Sequence, residues 1–182
     1  GAELTSTLIE ASGFEKVEGL VILSPLDNGT YEINGQTFDK VILACGAWLG
    51  QTLEPLGFDV DVRPQKGQLR DYFFEGMDTG RLPVLMPEGE LDVIPFAGGK
   101  ISVGASHEND QGFDLTVDET VLASLEEEAK TYFPDLSTAK SFSERVGTRA
   151  YTSDFSPFFG EVPELKNVFV ASGLGSSGLT TG

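Results

Sequence analysis

Residues Asn167–Gly182 read NVFVASGLGSSGLTTG, an apolar strand that runs directly into glycine and serine. Glycine lets a backbone approach a flat partner closely, and the free N–H groups at a helix start attract an anion or a polarised carbonyl. Ser176 and Ser177 are suited to cap such a helix. The chain stops at Gly182, before a helix of that kind is complete. A domain rarely ends on unmatched helix donors, so this reading predicts a truncated chain. The alternative, a flexible Gly/Ser tail, fits the composition but not the core strand before it. Gly1 in place of an initiator Met points the same way.

A second strand-and-glycine unit lies upstream. Val41–Trp48, VILACGAW, predicts a strand buried on both faces that ends at Gly46, followed by a short helix with Leu49, Leu53 and Leu56 on one side. Around it, Leu20–Leu23, the turn Asp27-Asn28-Gly29 and Thr30–Ile33 read as a hairpin, with a second turn at Asn34-Gly35. Residues 1–12 fit helix or strand equally.

From residue 58 onward the pattern becomes antiparallel. Val60-Asp61-Val62-Arg63 alternates, Gln68–Phe74 reads as another strand, and Leu91–Pro95 and Lys100–Val103 bracket the turn Ala97-Gly98-Gly99. Thr116-Val117-Asp118-Glu119 reads as a capping box. Val121, Leu122, Leu125, Ala129 and Phe133 then repeat on one helical face until Pro134. The acidic run Glu126-Glu127-Glu128 reads as a solvated face of that helix. A strand over 142–149 follows. The predicted class is therefore α+β: a mostly antiparallel sheet with a covering helix, plus remnants of a parallel nucleotide-binding layer. The expected division is 1–57 and 161–182 for that layer and 58–160 for the antiparallel domain.

Twelve basic residues against 29 acidic ones give a net charge of −17, which excludes a nucleic-acid footprint. The apolar fraction of 40% is enough for a core. No apolar run approaches membrane-spanning length and no secretory signal opens the chain, so a cytoplasmic location is expected. The single cysteine, Cys45, leaves no internal disulfide partner, and with the single His107 it gives no metal site. His107 reads as a surface residue beside a turn. Arg149, near the end of an apolar strand, has two readings. One is a planar fork for a carboxylate; the other is a surface arginine paired with Glu144 or Asp154.

Taken in order, VILACGAW, RPQKGQL (Arg63–Leu69), KISVGASHE (Lys100–Glu108), FPDL (Phe133–Leu136), ERVGTRAYTSDFSPFFG (Glu144–Gly160) and the C-terminal stretch resemble the D-amino-acid-oxidase-type FAD-dependent oxidoreductases, over about residues 38–182. That family includes glycine oxidases, sarcosine oxidases and D-amino-acid dehydrogenases. The resemblance implies FAD as cofactor, and a small amine or amino acid whose C–N bond is oxidised by hydride transfer to flavin. It implies cofactor contacts at Ala44, Gly46 and Trp48, and at Gly173, Gly175, Ser176, Ser177, Gly178, Leu179 and Thr180. It implies substrate-carboxylate binding at Arg149 and leaves catalytic side chains unassigned. The family's G-x-G-x-x-G turn for the FAD pyrophosphate is expected upstream of this chain. The isolated chain is then expected to be inactive, to lose FAD, and to self-associate through exposed sheet edges. Some members of the family carry Tyr where this chain has Asp92, so the substrate does not transfer by resemblance. The competing readings are a self-standing module that binds small carboxylates without a redox cofactor, and an interaction domain that uses the acidic helix.

Overall fold

The computed structural model describes residues 2–178, which form two compact units. One combines the residues up to Val62 with those from Thr152 onward; the other is Arg63–Tyr151.

The first unit opens with helix α1 (Ala2–Ser12), which resolves the ambiguous start of the chain as helical. A small antiparallel sheet of β1 (Leu23–Pro25), β2 (Tyr31–Ile33) and β3 (Gln36–Phe38) follows. Asn34 and Gly35 turn the β2–β3 hairpin with φ of 50° and 81°, the left-handed pair that matches strand twist. Leu20, Val21 and Ile22, expected in the first strand, are exposed and lie before it. Tyr31 is buried and donates to the Lys166 carbonyl at 2.7 Å.

The second sheet of this unit joins β4 (Val41–Leu43), β10 (Val168–Ser172) and β9 (Phe158–Glu161), in the order β4-β10-β9. β4 and β10 are parallel, with Val41 opposite Val168 and Leu43 opposite Val170. Val41 and Leu43 are buried, but Ile42 is 72% exposed. The expectation of a strand buried on both faces is thus corrected. β4 lies at a sheet edge, and its second face is open among the described residues. A 3-10 turn (Gly46–Trp48) leads into the short helix α2 (Leu49–Leu53), whose Leu49 and Leu53 are buried.

The second unit is an antiparallel sheet of β5 (Arg63–Phe73), β6 (Asp92–Pro95), β7 (Lys100–Gly104) and β8 (Lys140–Tyr151), ordered β6-β7-β5-β8. Helix α3 (Glu119–Tyr132) covers one face. Its cap is Asp118, whose carboxylate accepts from the N–H groups of Thr120 and Val121. The expected box led by Thr116 does not form; the Thr116 carbonyl instead takes the Lys66 ammonium at 2.5 Å. The core under the helix is Tyr72, Phe74, Leu91, Val93, Ile101, Val103, Ala129 and Leu136, with Phe133 set edge-on to Phe74 at 5.6 Å.

Strand alternation assigns the two faces. Lys66, Gln68, Arg70 and Tyr72 face the helix. Gln68 accepts from the Asp118 N–H at 2.7 Å, Arg70 reaches Glu119 at 2.5 Å, and the Tyr72 hydroxyl donates to Glu126 at 2.8 Å. Gln65, Gly67, Leu69 and Asp71 therefore face the other way, with Ser143, Arg145, Gly147 and Arg149 beside them on β8. No element among the described residues of this unit packs over that second face as α3 packs over the first.

Candidate functional site

The parallel register of β4 and β10 brings together the two glycine-bearing segments singled out by the sequence. Both strands run out at the same edge of the sheet, where ligands of open α/β sheets sit. Ser172, the last residue of β10, donates its hydroxyl to the Gly46 carbonyl at 2.8 Å. Gly46 has φ of 57°, and a Cβ built there would meet nothing within 4 Å. Gly173 has φ of 75°, and a Cβ there would lie 2.8 Å from the Thr152 methyl. Glycine is thus demanded twice over at 173, by conformation and by space.

The loop then turns on Gly175, with φ of 55°, and the Ser177 N–H donates to the Leu174 carbonyl at 3.0 Å. Ala44, Trp48, Ser176 and Ser177 are exposed, and Gly178 is half-buried. Leu179 and Thr180 lie outside the described residues. Gly173, Gly175 and Gly178 fall in a G-x-G-x-x-G spacing directly after a strand.

In the second unit, Arg149 extends from β8 across β5. Its Nη1 donates to the Ser106 carbonyl at 2.8 Å. The guanidinium lies over Gly67, where a Cβ would stand 2.8 Å from both Cζ and Nη2. Burial pushes the Arg149 pKa below its ordinary value, against the pull of the nearby Glu90 carboxylate. Neither surface pairing considered for it forms: Glu144 bonds Arg70 at 3.1 Å, and Asp154 accepts from the Ser156 N–H at 3.0 Å. Among the described residues Arg149 has no ion pair with a carboxylate, and most of its donors are unused.

The Ser106 carbonyl is itself firmly held. The Ser106 hydroxyl accepts from the Gln68 N–H at 2.9 Å and donates to Glu108 at 2.5 Å. Lys66 and Glu108 exchange backbone hydrogen bonds at 3.0 and 2.9 Å. The two residues flanking Gly67 are therefore tied to the segment that carries Arg149's acceptor. His107 belongs to the same end of the sheet. Its Nδ1 is 3.2 Å from Glu90 Oε2 without forming a hydrogen bond. Burial raises the Asp92 pKa, with His107 opposing.

Farther along the same face lies a cluster that the sequence reading missed. Asp71 is 1% exposed and receives Arg145 at 2.9 Å, Lys100 at 3.0 Å, Ser143 at 3.0 Å and the Ser102 hydroxyl. Burial alone would raise its pKa, but the bonds from Arg145, Ser102, Lys100 and Ser143 outweigh that and hold it at about 2. An aspartate in the middle of the predicted strand Gln68–Phe74 was the available signal, but its partners sit on β7 and β8, 29 or more positions away along the chain.

Among the described residues no helix is long and apolar enough to cross a membrane. The family model for FAD-dependent oxidoreductases of the DAO type matches residues 6–182. The chain is 40% identical over 145 residues to the uncharacterized oxidoreductase YurR of Bacillus subtilis, covering 79% of this chain and 39% of that protein. It is 32% identical to the glycine oxidase of Pseudomonas aeruginosa, covering 81% of this chain and 39% of the relative. Among solved structures, iminodiacetate oxidase from Chelativorans sp. BNC1 superposes with a TM-score of 0.90 at 30% identity, over 97% of this chain and 50% of that one. Glycine oxidase from Geobacillus kaustophilus shares the fold, with a TM-score of 0.75 at 23% identity over 87% of this chain and 43% of that one. The chain thus spans two fifths to half the length of these relatives. With its match running through nearly every residue, its mixed α+β architecture and its glycine-ended parallel strands, the chain belongs to the DAO family of FAD-dependent oxidoreductases.

Proposed function

We propose that the protein carrying this chain oxidises the C–N bond of a small carboxylated amine, an amino acid or an N-substituted one, with FAD as the electron acceptor. The observation that carries this reading is Arg149: half-buried, held over Gly67 by the Ser106 carbonyl, and with no carboxylate bonded to it among the described residues. A desolvated guanidinium with unused donors is matched by a carboxylate from outside. The names of two relatives, glycine oxidase and iminodiacetate oxidase, point to ligands of that chemistry.

The residues at the strand ends fit a flat cofactor. Gly46 leaves open space beside its backbone, and the turn through Gly173 and Gly175 exposes backbone without side chains. Ala44, Gly46 and Trp48 would hold one part of FAD, and Gly173, Gly175, Ser176, Ser177 and Gly178 another; Leu179 and Thr180, also assigned to the cofactor by resemblance, lie outside the described residues. When bound, FAD supplies the hydride acceptor. Arg149 then does the orienting: fixing the carboxylate fixes the neighbouring carbon, the one that gives up its hydride. The substrate nitrogen loses a proton in the same oxidation, and water hydrolyses the resulting imine.

On this reading, residues 1–57 and 161–182 serve the cofactor and 58–160 the substrate. The 182 residues alone are inactive, retain FAD poorly and associate through uncovered sheet edges, and the protein works in the cytoplasm. The test uses the protein at its native length, with FAD, and glycine and iminodiacetate as substrates. Arg149→Ala should raise KM for the substrate that is turned over by about a hundredfold, a charged hydrogen-bonded contact being worth about 3 kcal/mol. An unchanged KM would overturn the carboxylate role. A protein of native length that binds acetate but never FAD would favour the cofactor-free carboxylate module instead.

A further inference from the structure

We propose that the bare strip of sheet at Gly147, beside the Arg149 guanidinium, seats the organic group attached to the bound carboxylate, and that Gly147 sets how bulky a group is accepted. This rests on the reading of Arg149 as the carboxylate site.

Gly67 and Gly147 are direct partners across β5 and β8, so both project toward the open face. The space above Gly67 is taken by the guanidinium. Above Gly147 a Cβ would meet nothing within 4 Å. Nor does the backbone require glycine there, since Gly147 is not among the residues of positive φ. A glycine in a strand interior weakens the strand, through backbone entropy and the lack of a side chain to pack. At Gly67 the seat of Arg149 accounts for that cost; at Gly147 neither conformation nor packing among the described residues does.

The neighbours keep the strip clear. Arg149 leans toward the Ser106 carbonyl and Arg145 leans toward Asp71, so neither crosses the space between them. Leu69, the partner of Arg145, supplies an apolar edge. Partners in an antiparallel pair are about 5 Å apart, so the strip adjoins the guanidinium and lies within reach of the carbon skeleton of a carboxylate bonded to it. An organic carboxylate would thus keep its charge on Arg149 and lay its carbon skeleton on Gly147 and Leu69.

The experiment uses the protein at native length with FAD, titrated by calorimetry with acetate and with trimethylacetate, which differ only in bulk beside the carboxylate. Wild type should bind both. Gly147→Ala should not lower the melting temperature and should hold acetate affinity within about twofold, while weakening trimethylacetate by about tenfold, the usual cost of overpacking. A variant that treats the two anions alike would overturn the proposal. Arg149→Ala separates the two levels. If it loses acetate while Gly147→Ala discriminates nothing, the carboxylate site stands and the Gly147 seat falls. If it binds acetate as wild type does, or if wild type binds neither anion, the carboxylate site falls and the seat with it.

Discussion

Arg145 and Arg149 stand four residues apart on β8, point to the same face of the same sheet, and meet opposite electrostatic surroundings. Their Cα atoms are about 13 Å apart, so each is answered by a different part of the sheet. Arg145 lies against Asp71, a buried carboxylate that also takes Lys100 and two serine hydroxyls. Arg149 lies over a glycine and reaches a carbonyl. One cation holds strands together; the other is desolvated, with no carboxylate in bonding contact among the described residues. The difference teaches that an arginine's role is set by what stands across from it, not by its place in a strand.

The sharpest way to break this contrast is Arg149→Ala. Substrate affinity should fall by about a hundredfold with little loss of thermal stability, because the arginine's burial opposes its charge; equal losses in folding and binding, measured by melting and by steady-state kinetics, would make Arg149 structural. The reverse is expected of Asp71→Asn. Leaving Arg145 and Lys100 beside a neutral group should lower stability by about 2 kcal/mol in urea unfolding, with KM unmoved.

Acid sharpens the same point. The folded pKa of Asp71 is depressed to about 2, against an unfolded value of about 3.9, so its contribution is present above pH 4 and is lost as pH falls through 2. Unfolding free energies measured between about pH 5 and pH 2 should show up to about 2 kcal/mol of loss from this group, and the Asn variant should lack it. Gly67→Ala should come next: its methyl must displace the Arg149 guanidinium, weakening acetate by about tenfold in calorimetry while kcat changes less than KM. Smallest is Arg145→Ala, at under about 1 kcal/mol of stability for a half-exposed ion pair and no change in acetate binding. A large binding defect there would erase the distinction between the two arginines.

Much of this architecture was legible in the chain itself. The hairpins around Asn34-Gly35 and Gly98-Gly99, the helix ending at Pro134 and the strand before Gly173 all rest on local chemistry: turn glycines, apolar period and a proline stop. Where local signals competed, the reading slipped. Asp118 rather than Thr116 caps α3, because the helix begins at Glu119 and only Asp118 stands directly before its first N–H groups. Ile42 is exposed because the face of β4 it points to is uncovered among the described residues, and what covers a face is a property of the assembled sheet rather than of the run VILAC. Phe158–Glu161 pairs as a strand only because β10 offers it a ladder.

By itself the sequence determined the long antiparallel strands and the helix Glu119–Tyr132, which glycines turn, that the chain is too acidic for nucleic acid, and which family its motifs resemble. Periodicity, turn chemistry and charge act within a few residues, so they are written locally. The tertiary structure alone decided which arginine is neutralised, that Gly67 seats Arg149, that Gly147 is bare, and that Gly46 and Gly173 end neighbouring parallel strands. Those facts depend on register between strands tens of residues apart, and register emerges only when the whole sheet assembles.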